Sequence, residues 1–160
     1  MARIGKGIQV PLSWIPARNG NTPSGAVDVC YGIYVIRRKY EDEWIPGKLI
    51  VSYRTCYCPV NGKELESQEY EVLCDSCLPD SKKCYEWEHA SRGAVPKNAL
   101  VAGTWFGTPL YIAKGIVNQE ICVGKVQEGS TCAYLPWGGK EHSVQNYEVL
   151  VLKMELTEYI

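Results

Sequence analysis

This chain lacks any apolar run long enough to cross a bilayer as a helix, which takes about 20 residues. An excess of charge of one sign is missing as well. With 17 basic residues against 18 acidic ones, no broad field would steer it onto nucleic acid or an anionic membrane. Helix-building residues are scarce: there are two methionines and little alanine or leucine, and nowhere does an apolar stripe recur at helical spacing. Histidine is limited to His89 and His142, neither with a serine or cysteine set beside it as a nucleophile. That argues against an enzyme, and no cofactor is expected. The opening residues, Met1 to Pro11, contain no apolar core of the kind a secretory signal needs. The expectation is a soluble cytoplasmic protein, with release by a non-classical route as the alternative.

What the chain does have is strand formers and turn residues, with 11 Tyr, 5 Trp, 15 Gly and 9 Pro among its 160 residues. This is the composition of an all-β protein. It also has an internal repeat. Gly139-Lys140-Glu141 and Tyr147-Glu148-Val149-Leu150 recur 77 positions earlier as Gly62-Lys63-Glu64 and Tyr70-Glu71-Val72-Leu73. The same offset pairs Gly124-Lys125 with Gly47-Lys48, Tyr134 with Tyr57 and Pro136 with Pro59. Upstream the offset falls to 73, pairing Trp87 with Trp14, Gly93 with Gly20 and Pro96 with Pro23, so the second copy carries four extra residues near Thr104 to Thr108. Two units are too few for a solenoid that caps itself, and they should close on each other as a pseudo-twofold pair. The expected layout is a single domain over 1–160. Repeat one covers 13–74, a connector 75–86 and repeat two 87–151, with a strand extension at 152–160.

Alternating residues predict strands over Gly32 to Ile36, Leu49 to Tyr53, Tyr70 to Leu73 and their counterparts. Asn61-Gly62 and Gly138-Gly139 read as hairpin turns, since these residues accept positive φ. Glu41-Asp42-Glu43 is expected at a bend, and Pro46-Gly47 suits a type II turn. From Tyr147 the chain alternates for so long, Leu150, Leu152, Met154 and Leu156 sharing one parity, that its last strand is expected to cross onto the other copy.

Three constellations could carry chemistry. The first is a carboxylate and an ammonium at matched positions, Glu43 with Lys48 and Glu120 with Lys125. Residues five apart in a straight strand face opposite ways, so these pairs meet only if the backbone turns between them, at Pro46-Gly47 and Val123-Gly124. An adjacent acceptor and donor suit the vicinal hydroxyls of a sugar, and Trp44 and Trp105 could cover the apolar face of its ring. The plain alternative is a pair of exposed ion pairs. The second is Glu64 and Glu141 of the hairpins, expected as structural acceptors for turn amides. The third is Cys74, Cys77, Cys84 and His89 along the connector, a set chemically able to hold zinc but matching no common zinc spacing; reduced or disulfide-bonded thiols are the favoured alternative and no metal is expected. Cys56 and Cys58 share a strand face and are too close to bridge to each other.

The matched positions from Trp14 to Val151 resemble the DM-nine repeat family. They include Asn19-Gly20, Pro23, Pro46-Gly47-Lys48, Gly62-Lys63-Glu64, Ala102-Gly103, Leu110-Tyr111-Ile112-Ala113, Gly124-Lys125 and Gly139-Lys140-Glu141-His142. That family includes mannose-binding lectins built from two intertwined repeats, and similar repeats occur in natterin-like proteins. The resemblance implies an antiparallel β-sandwich with pseudo-twofold symmetry. It also implies a non-enzymatic, bivalent lectin-like protein for mannose-type glycans, in a pattern-recognition or innate-immune role. Its sugar sites would use Lys48 with Glu43 and Lys125 with Glu120, and Trp105 stands where the lectins carry a further acid. An interaction module that keeps the fold without sugar binding is the alternative, and a homodimer is the association such a module admits.

Overall fold

The computed structural model of the protein describes residues 3–4, 8–9, 11–76 and 83–153. A small ribbon pairs β1 (Arg3–Ile4) with β2 (Ile8–Gln9). The first copy then runs β3 (Leu12–Arg18), β4 (Asp28–Cys30), β5 (Ile33–Tyr40), β6 (Glu43–Ile50), a 3-10 turn at Val51–Tyr53, β7 (Thr55–Val60), β8 (Lys63–Ser67) and β9 (Glu69–Asp75). The second runs β10 (Tyr85–Ser91), β11 (Val101–Trp105), β12 (Thr108–Val117), β13 (Glu120–Gln127), β14 (Ala133–Trp137), β15 (Lys140–Val144) and β16 (Asn146–Leu152). The architecture is all-β and antiparallel throughout, and among the described residues no helix is long and apolar enough to cross a membrane.

The order β10-β16-β12-β13-β14-β15-β8-β7-β6-β5-β9-β3 reads the same from either end once the copies are matched, which is the pseudo-twofold arrangement expected of a self-closing pair. At its centre the two Gly-Lys-Glu hairpins join. Lys140 pairs with Lys63, the Glu64 amide donates to the Gly139 carbonyl at 3.1 Å and the Glu141 amide to the Gly62 carbonyl at 3.0 Å. The single sheet curls until β6 packs on β13 and its inner faces meet. Matched strands bury matched residues: β9 and β16 have the same inward positions, Tyr70, Val72, Leu73 and Cys74 against Tyr147, Val149, Leu150 and Val151. Two apolar clusters serve the two copies, and a third lies between them. That third cluster contains symmetry mates from both sides, Val35 with Ile112 and Leu73 with Leu150. Burying such side chains on their mates gains roughly 1.5–3 kcal/mol each, so neither copy can part from the other cheaply.

Three expectations are corrected. The strand expected over Leu49 to Tyr53 ends at Ile50, and Val51–Tyr53 forms a 3-10 turn closed by Arg54 in the left-handed region. The last strand does not exchange: β16 pairs with β10 and β12 of its own copy, because its apolar parity already faces the cluster of that copy and the shared one. The part of the predicted run from Met154 onward lies outside the described residues. Nor does Pro46-Gly47 turn the chain. Both residues sit inside β6, as Val123 and Gly124 sit inside β13. The turns fall earlier, at Glu41-Asp42 and Asn118-Gln119, where both residues of each pair adopt positive φ. Gly47 is needed for space: a Cβ there would strike the Tyr57 carbonyl of β7, and one on Gly124 the Tyr134 carbonyl of β14. Asn61-Gly62 and Gly138-Gly139 are left-handed hairpin turns as expected.

Candidate functional site

Because β6 runs straight from Glu43 to Lys48, the two side chains leave opposite faces, and the expected Glu43–Lys48 pair is not formed. The same holds for Glu120 and Lys125 on β13. The lysines point inward and are 4% and 6% exposed. Their carboxylate partners are the hairpin glutamates, Glu64 at 3.7 Å from Lys48 Nζ and Glu141 at 3.4 Å from Lys125 Nζ. The expectation that the hairpin glutamates hold turn amides stands for Glu64, whose Oε1 accepts from the Gly139 amide of the other copy at 3.1 Å.

The Lys48 centre draws on the second copy. Lys48 Nζ donates to the Pro136 carbonyl at 2.7 Å and lies 3.4 Å from Cys122 Sγ, both in the second copy. Burial pushes the Cys122 thiol up, Lys48 opposes this, and Glu120 and Glu64 add to the rise. Glu120, two residues before Cys122 on β13, leaves the same face of the strand and so borders the Lys48 centre. Its Oε2 accepts from the indole nitrogen of Trp137 at 3.0 Å, next to Pro136. His142 closes the edge, Nε2 sitting 2.9 Å from the Trp137 carbonyl and its ring packing edge-on against that indole.

The Lys125 centre mirrors this with a different tryptophan. The four extra residues of the second copy lengthen the β11–β12 hairpin, which lies across β6 of the first copy. Gly103 permits the approach, since a Cβ there would collide with the Trp44 carbonyl. The hairpin places Trp105 with its ring 5.5 Å from Lys125 Nζ and stacked on Tyr40 at 6.1 Å. Glu43 of the first copy is held by the same hairpin, accepting from the Gly107 amide at 3.2 Å and the Thr104 hydroxyl at 3.4 Å. Phe106 at the tip is 83% exposed and packs edge-on against Trp105. The Tyr134 ring lies 6.0 Å from Lys125 Nζ.

Each centre is thus a buried lysine–glutamate pair with a tryptophan and a glutamate nearby, Trp137 bonded to Glu120 at one and Trp105 on the hairpin that holds Glu43 at the other. The two are unequal. Lys48 has its backbone acceptor, whereas Glu141 Oε2, facing Lys125, is buried and accepts no hydrogen bond. Among the described residues no such carbonyl holds Lys125. Buried polar groups of this kind are ordinarily satisfied by protein, water or ligand.

Trp44 serves elsewhere. The Arg37 guanidinium lies between the rings of Trp14 and Trp44, 4.5 Å from each, and meets Glu71 at 2.7 Å and the Ala102 carbonyl at 2.9 Å. In the second copy Lys114 repeats this with Trp87 and Glu148. Trp137 was not anticipated, because copy one has Val60 there and the repeat comparison hides it; its one signal is its place just before Gly138-Gly139. The proposed zinc set does not assemble among the described residues. Cys74 is buried with its thiol turned to the Val72 carbonyl, His89 lies exposed on β10, and Cys77 is outside the described residues.

The sheet architecture is shared with the nematode sperm cell motility protein MFP2B, at a TM-score of 0.61 and 16% identity over 93% of this chain and 47% of that one, a likeness of fold alone. Natterin-4 of Thalassophryne nattereri is 29% identical over 92% of this chain, and natterin-3 of the same species 36% identical over 49% of it. The chain spans 35% and 21% of the lengths of those relatives. The DM9 repeat matches residues 28–144, across both copies and both lysine centres, and the chain belongs to the DM9 repeat family.

Proposed function

We propose that this chain is a lectin-like carbohydrate-binding module, with mannose-type glycans as its ligands and an innate-recognition role. The observation that carries this reading is a partly exposed tryptophan associated with a carboxylate at each rim: Trp137 donates to Glu120, and the hairpin that bears Trp105 holds Glu43 through Thr104 and Gly107. An indole face packs on the C–H face of a pyranose while a carboxylate accepts from its hydroxyls. The Lys125 centre is the stronger of the two, because Glu141 Oε2 still has an unmet acceptor there. Occupied together, the two rims make the module bivalent. Titration calorimetry with mannose and a branched mannose oligosaccharide tests this. Trp105→Ala should weaken binding at least tenfold and Trp137→Ala remove the weaker site, while a parent protein that binds no sugar at millimolar concentration ends the reading.

A second reading is an interaction module that keeps the fold without a sugar. It is favoured by the burial of both lysines, each already held by a glutamate. Under it, alanine at either tryptophan changes stability but no glycan affinity.

A further inference from the structure

Outside both lysine centres, the outer face of each copy carries a cleft at the same place in the repeat. In the first copy it measures about 550 Å³ and opens among β3, β5, β6 and β9, with Arg18, Arg38, Lys39 and Glu69 at its edges and Trp44 and Tyr70 in its wall. In the second copy the cleft is about 460 Å³, and Gly115, Ile116, Ile121 and Asn146 stand where Arg38, Lys39, Trp44 and Glu69 stand in the first. Beneath both runs the same support, a cation held by a glutamate and a tryptophan: Arg37 with Glu71 and Trp14, Lys114 with Glu148 and Trp87. Those supports are neutral pairs.

The second copy shows that this backbone folds with Gly115 and Ile116 in place of the Arg38 and Lys39 cations. The cations of the first rim are therefore not demanded by the fold. Arg38 spends two of its five donors, on the Lys39 carbonyl at 3.3 Å and the Glu66 carbonyl at 3.1 Å, which fix the guanidinium and leave the others free. Lys39 has only Asp42 at 3.9 Å, a fully exposed carboxylate in a weak surface pair. Arg18 has no ion pair among the described residues, although Glu69 is opposite it across the β3–β9 ladder. Once Arg37 and Glu71 cancel, Arg18, Arg38 and Lys39 stand against Glu69 and the exposed Asp42, an excess of one positive charge. The chain as a whole carries a net charge of −1, so the attraction is local to the cleft and suits a short ligand, not a long polyanion. A cleft lined both by a fixed guanidinium, Arg38, and by Trp44 and Tyr70 suits an oxyanion carried on a saccharide ring: the fork binds the anion and the ring packs on an aromatic wall.

We propose that the first-copy cleft is a second binding site, for a short saccharide bearing a sulfate or carboxylate. It is separate from the lysine centres and does not depend on their binding mannose.

Titration calorimetry tests it on the intact chain with four probes: a sulfated heparin-derived disaccharide, the same disaccharide with its sulfates removed, lactose and inorganic sulfate. The sulfated disaccharide should bind one site per chain, with affinity falling as salt rises. Retention of affinity by the desulfated compound, which keeps its carboxylate, assigns the contact to the carboxylate; its loss assigns the contact to the sulfate. Arg38→Ala with Lys39→Ile should cost at least tenfold, and Lys125→Met should leave this binding unchanged. Lys39→Ile alone, an exposed substitution already accommodated in the second copy, gives the same direction if the double variant is poorly folded. Equal binding of lactose, equal binding of inorganic sulfate, no binding at all, or variants that bind as the parent does would overturn the proposal.

Discussion

Replacing Glu64 by Gln isolates the cost of a buried charge in this fold. Gln is nearly isosteric, and its amide oxygen can still accept from the Gly139 amide, so the hairpin junction keeps its bond. What is lost is the carboxylate 3.7 Å from Lys48 Nζ, in a pair whose side chains are 5% and 11% exposed. Removing one member of a buried pair typically costs about 3–5 kcal/mol, because the other charge is left in a low-dielectric interior. The Pro136 carbonyl 2.7 Å from Nζ partly compensates, which places the loss near the low end, about 3 kcal/mol. For a domain of this size, each kcal/mol moves Tm by roughly 2–4 °C, so Glu64→Gln should lower it by roughly 6–12 °C. Lys48→Met alone should also destabilise, and the double variant Lys48→Met with Glu64→Gln should recover at least about 2 kcal/mol of the summed losses. Urea denaturation of the four proteins at pH 7 measures that coupling. A value below about 0.5 kcal/mol, ordinary for a surface pair, would refute the account of a buried pair.

Alkaline pH should destabilise the chain. Burial raises the thiols of Cys58, Cys74 and Cys122 and the phenols of Tyr70, Tyr85 and Tyr147, so the unfolded state releases these protons first and ΔG of unfolding falls as pH rises through about 9 to 11; a flat profile over that range in urea titrations would contradict it. Gly103→Ala should push the β11–β12 hairpin off β6, costing about 2 kcal/mol or more and altering Trp105 fluorescence, because its Cβ has no room beside the Trp44 carbonyl; an unchanged spectrum and midpoint would show that the hairpin packs otherwise. Arg37→Ala should cost about 3 kcal/mol by leaving Glu71 and the Ala102 carbonyl without their donor and unstacking Trp14 and Trp44; chemical denaturation would read it, and a loss under about 1 kcal/mol would mean the stack is loose.

The all-β class and the pseudo-twofold were legible because the repeat prints the same turn and apolar residues twice, and the same residues bury the same faces. The lysines and acids of the candidate site were legible as individuals. Their pairing was not. The expected partnership of Glu43 with Lys48 needed a turn at Pro46-Gly47, but that glycine is present to let β7 approach, which a residue-by-residue reading cannot distinguish from a turn signal. Trp44 was assigned to the lysine through closeness in sequence, while the sheet twists it toward Arg37. Trp137 was hidden because a repeat comparison favours what the copies share, and this tryptophan breaks the match.

Local chemistry in the chain thus determined that the protein is two β units with left-handed hairpins at Asn61-Gly62 and Gly138-Gly139, each carrying a matched lysine and hairpin glutamate. Which carboxylate each lysine would meet, and which tryptophan would roof it, was decided only when the sheet curled and laid one copy's hairpin across the other copy's strand. The reason is distance along the chain. Glu43 and Gly107, or Lys48 and Pro136, are brought together by the closing of the whole sheet and by the burial of Val35, Ile112, Leu73 and Leu150 between the copies. No spacing within a strand encodes that closure.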